Sequence, residues 1–79
     1  MDEFEELAGR IDGIAQAVLR LTAALEIAGL IDGPQLSEWW RTARPEHLAT
    51  DPVRQAARRT LLEMTQALDD ARQARSHLQ

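Results

Sequence analysis

The chain has no cysteine, no lysine and no tyrosine, and only one phenylalanine. Without cysteine there can be no disulfide, thiolate zinc site or cysteine nucleophile. Without lysine, all nine basic residues are arginine. The two histidines, His47 and His77, lie thirty positions apart, which argues against a histidine-rich metal site. Nothing in the pattern calls for a cofactor. No apolar run approaches the roughly 20 residues that span a bilayer. Met1 is followed by Asp2, Glu3, Glu5 and Glu6, where a secretory leader would be basic, so the expectation is a cytoplasmic protein. The formal charge is -4, and net acidity disfavours non-specific attraction to nucleic acid or anionic membrane.

At 79 residues the chain has room for a single domain, 1–79, with a marginal core. Small domains are commonly supported by disulfides, metals or association. Association is the support left open here.

The strongest pattern is helical. Phe4, Leu7, Ile11, Ile14, Val18, Leu21, Leu25 and Ala28 recur at alternating spacings of three and four, a heptad seam nearly four heptads long. The spacing predicts a helix over about 2–28, roughly 40 Å long. Acids crowd its first turn, where they complement the helix dipole. Gly9 and Gly13 within it each cost about 1 kcal/mol relative to alanine, so the helix must gain stability elsewhere. Asp32-Gly33-Pro34 then punctuates the chain and opens a short helix over about 34–44, carrying Leu36, Trp39, Trp40 and Ala43 at helical spacing. Asp51-Pro52 opens a third helix over about 52–78, with an apolar stripe through Ala57, Leu61, Met64, Leu68, Ala71 and Leu78.

The resulting expectation is an all-α fold, a long antiparallel helical hairpin with a short intervening helix. The charges at the ends of the segments suit that direction: the acidic start of the first helix would meet Arg72 and Arg75, and Glu26 and Asp32 would meet Arg54, Arg58 and Arg59. Leu36 and one tryptophan would cover a second stripe of Leu19, Ala23 and Ile27. The other end would have two helices only, too few to shelter so wide a stripe. Phe4, Leu7, Ile11, Ile14, Leu68, Ala71 and Leu78 are therefore the candidate self-association surface, giving a helical bundle by homodimerisation.

Trp39 and Trp40, about 100° apart on a helix, cannot enter the same core. With Arg41 and Arg44 they have the composition of a protein-binding hot spot and form the candidate partner surface. Arg54, Arg58 and Arg59 offer an alternative, a DNA-binding dimer, although no aromatic residue interleaves with them. Asp69 and Asp70 are paired carboxylates on what should be a wet helix face, which is no catalytic arrangement. Arg10-Ile11-Asp12 in a long first helix resembles the opening of the helical chorismate mutases. Those enzymes rely on an active-site lysine and this chain has none, which sets the resemblance aside; two or three thin helices also offer little concavity for a catalytic pocket, so the expectation is a protein that is not an enzyme. The functional expectation is a protein-binding helical module, either a homodimeric scaffold or a small adaptor or inhibitor docking on a larger protein assembly.

Overall fold

A computed structural model describes residues 2–78 as three α-helices, α1 (Glu3–Ile27), α2 (Gly33–Thr42) and α3 (Pro52–His77). A single 3-10 turn, Glu46–Leu48, lies between α2 and α3. There is no strand among the described residues. Each α-helix starts in the same way. The side chains of Asp2, Asp32 and Asp51 accept a hydrogen bond from the backbone N–H three residues on, at 2.8, 3.0 and 2.8 Å. Such a cap satisfies one of the donors a helix start leaves free and is worth about 1 kcal/mol. Helix α1 ends at Gly29, which adopts φ +75. There the N–H of Leu30 reaches the carbonyl of Leu25, and the N–H of Gly29 that of Glu26, both at 3.0 Å. This is a Schellman closure, and its left-handed residue is where glycine is free of strain.

The long–short–long helical architecture is the one the sequence predicts. The relative direction of the long helices is different. Ile11 and Ala15 of α1 border the same hollow as Thr60 and Met64 of α3, and Leu19 and Ala23 the same one as Ala67 and Ala71. Further along, Glu26 meets Arg72 and Arg75. Position numbers rise together on both helices, so α1 and α3 run in the same sense. The antiparallel pair in this chain is α2 with α3, tied by Ser37 to Arg72 and by Arg41 to Asp69. The physical reason is that α2 is a full leg of the fold. The chain reverses before it and again after it, which restores the original direction. The end-charge argument fails with it: Glu6 pairs along its own helix with Arg10, and Asp32 caps α2.

The interior is small and largely polar. Among the described residues Leu68 is the one large apolar side chain that is fully buried, accompanied by Thr22, Ser37 and Thr65. Thr65 returns its hydroxyl to the Leu61 carbonyl at 2.7 Å. Because α2 lies mainly along α3 and touches α1 little, the second α1 stripe is only partly covered. Leu19 and Ala23 are half-buried and Ile27 is exposed.

The chain is correspondingly open. Its accessible surface is 6111 Å², against about 4,800 Å² for a compact chain of this mass. The radius of gyration is 14.3 Å, against about 11.6 Å for a compact domain of this length.

Candidate interaction surface and the polar junction behind it

Helix α1 presents two different faces. Ala15, Leu19, Thr22, Ala23 and Glu26 turn towards the rest of the chain and are half-buried or buried. The heptad seam lies roughly 90° around the helix from them, at 100° per residue. It faces outward: Phe4 is 85% exposed, Leu7 55%, Ile11 51%, Ile14 67%, Val18 39% and Leu21 63%. Six apolar side chains thus form one continuous rib on the outside of the molecule. Its flanks are small, with Ala8, Ala15, Ala17 and Ala24 beside the seam.

The structure divides the predicted self-association residues. Phe4, Leu7, Ile11 and Ile14 are accessible on α1. Leu68 is not, being 1% exposed, because it points into the junction of α3 with Leu19 and Ala23. Ala71 and Leu78 are exposed on α3, but the shared direction of the long helices sets them at the end away from Phe4 and Leu7. They belong to no common patch with the start of α1.

The predicted partner-binding group is also divided. Trp39 is 62% exposed and Trp40 is half-buried, as their angular separation requires. Arg41 is committed to ion pairs with Glu38 at 2.6 Å and Asp69 at 2.8 Å. Arg44 instead borders a shallow hollow of about 350 Å³ with Pro45, Leu48 and Arg54. Among the arginines of the alternative reading, Arg54 is held by Asp51 at 3.1 Å, Arg59 is exposed, and Arg58 is half-buried with its Nε lacking a partner.

The feature that sequence reasoning missed is the ionic junction joining all three helices. Glu26, near the end of α1, accepts hydrogen bonds from Arg72 and faces Arg75 at 3.4 Å. Its side chain is only 11% exposed. Arg72 also donates to Asp69 at 2.9 Å and to the Ser37 hydroxyl at 3.3 Å. Glu26 lies against Gly33, the first residue of α2, so closely that a Cβ there would collide with its carboxyl group. Negative charge is favoured at a helix start, so this one carboxylate serves α1, α2 and α3 together. The Arg72 guanidinium is pushed upward from its ordinary pKa by its bond to Glu26, against the opposing effect of burial and with further help from Asp69. Burial raises the Asp69 carboxyl, but bonds from Ser37 and Arg72 and the charges of Arg41 and Arg72 together hold it below the ordinary value. In the sequence Glu26 falls at helical spacing after Leu19 and Ala23, on the face that turns inward, but only the chain reversal brings Arg72 to it.

Among the described residues no group of three histidine or acidic side chains could hold a metal ion. Among the described residues no helix is long and apolar enough to cross a membrane. No protein family, curated protein or solved structure matches this chain.

Proposed function

We propose that this chain is a protein-binding helical module whose contact surface is the outward seam of α1. The observation that carries the reading is the separation of the two α1 faces. The molecule uses one for its own junction and leaves the more hydrophobic one, Phe4 to Leu21, in water. A single buried leucine contributes about 1.5–3 kcal/mol, and salt bridges at half-exposed sites contribute little more. A chain of this size has little else to offset the ordering of its backbone. Burying the seam against another polypeptide would supply the apolar area that the interior lacks. A continuous exposed apolar strip of this kind is characteristic of interaction surfaces.

A photo-crosslinking residue at Ala17, exposed on the seam's flank, tests the reading in cells that make the protein. The expected result is a specific polypeptide adduct from Ala17 and none from the same residue at Arg59 on α3. Absence of any adduct at Ala17, with the helical signal intact, would refute it.

A further inference from the structure

We infer that the occupant of the α1 seam is a second copy of this chain, with the two α1 helices antiparallel and the twofold axis passing between Asp12 and Gly13. The inference rests on the module reading and names its partner.

Three observations support it. The first is area. The chain exposes about 1,300 Å² beyond what a compact chain of its mass would, while a specific interface takes about 800 Å² from each partner. One twofold contact of that size along the seam would absorb more than half of the excess.

The second is register. The strongly exposed part of the seam begins at Phe4 and ends at Leu21, beyond which Leu25 is half-buried in its own chain. An antiparallel pair centred on that stretch sets Phe4 opposite Leu21 of the other copy, Leu7 opposite Val18, and Ile11 opposite Ile14. All six seam residues are used, each in a layer of one a-type and one d-type position, as antiparallel helix pairs require. On one flank small residues meet in this register, Ala8 with Ala15, and on the other Arg10 meets the small Ala17. This permits a close interaxial approach.

The third is charge. Asp2, Glu3, Glu5 and Glu6 form the first turn of α1. A parallel pair would place two such acidic turns side by side, together with two helix starts. The antiparallel pair keeps them about 20 Å or more apart by the helix rise, beyond a Debye length of about 8 Å at physiological salt.

The absence of native cysteine allows a clean test. Sedimentation equilibrium of the full chain should give twice the 8.9 kDa monomer mass. Single-site spin labels at Glu5→Cys and Asp12→Cys, both exposed and off the seam, then report the direction. In the antiparallel pair the Asp12 labels sit almost level along the helix direction, and the Glu5 labels are separated by about 21 Å more along it. Equal distances at the two positions would overturn the arrangement in favour of a parallel pair. A folded monomer mass at high micromolar concentration would overturn self-pairing altogether. That result would leave the module reading to the Ala17 adduct, which would then join this chain to a different polypeptide.

Discussion

Replacing Glu26 by glutamine should reveal how much of the fold depends on one carboxylate. The substitution keeps shape and one acceptor but removes the charge that Arg72 and Arg75 share. Hydrogen bonds to charged groups contribute about 1.5–3 kcal/mol, and breaking a fully buried ion pair costs about 3–5 kcal/mol. The junction is not fully buried. The side chains of Arg72 and Arg75 are 23% and 30% exposed, and Arg72 retains Asp69 and Ser37. The cost should therefore fall at the lower end, about 2 kcal/mol. Urea unfolding followed by circular dichroism measures it, at fixed protein concentration because association would shift the midpoint. A double-mutant cycle with Arg72→Met separates the pair from general packing, and the coupling should exceed about 1 kcal/mol. A Glu26→Gln variant within about 0.5 kcal/mol of the parent, or a coupling indistinguishable from zero, would refute a junction tied together by this carboxylate.

Other outcomes follow from the same contacts. Gly9→Ala and Gly13→Ala should each raise helix stability by about 1 kcal/mol, measured by thermal melting, because no atom lies within 4 Å of the added Cβ at either site; both positions turn away from the seam, so sedimentation should be unchanged. Gly33→Ala should act in the opposite direction, costing about 1–3 kcal/mol by displacing the Glu26 carboxylate, and the loss should largely vanish in a Glu26→Gln background. Leu68→Ala removes a fully buried large side chain and should cost about 2–5 kcal/mol in the same denaturation assay. The Asp69 carboxyl titrates below the ordinary aspartate value in the folded chain. Its contribution is therefore fully present above the unfolded value of about 3.9 and is lost as the pH falls through the lowered folded value. Melting temperatures taken downward from about pH 6 should fall less steeply for Asp69→Asn than for the parent.

The local level of this protein is written in its sequence. Three aspartates followed by helix-forming runs, two of them with a proline just inside, mark the three helix starts. The three-and-four spacing from Phe4 to Ala28 marks the apolar face of α1, and these signals act within one or two turns. Even the division of Trp39 from Trp40 follows from helix geometry alone. Which face α1 turns inward, and which way α3 runs beside it, are decided over longer distances. Surface charges at the ends of helices are weak guides, each pair worth about 0–1 kcal/mol, so a match seen in the sequence does not select a direction. The direction is set where α2 is a leg of its own and carries Gly33 and Ser37 to Glu26 and Arg72. There a nearly buried carboxylate, shared by two arginines and a helix start, outweighs the exposed pairs. The tertiary structure thus turns the face of Ala15, Leu19, Thr22, Ala23 and Glu26 inward and leaves the most hydrophobic stripe of α1 outside, a choice that periodicity alone cannot express.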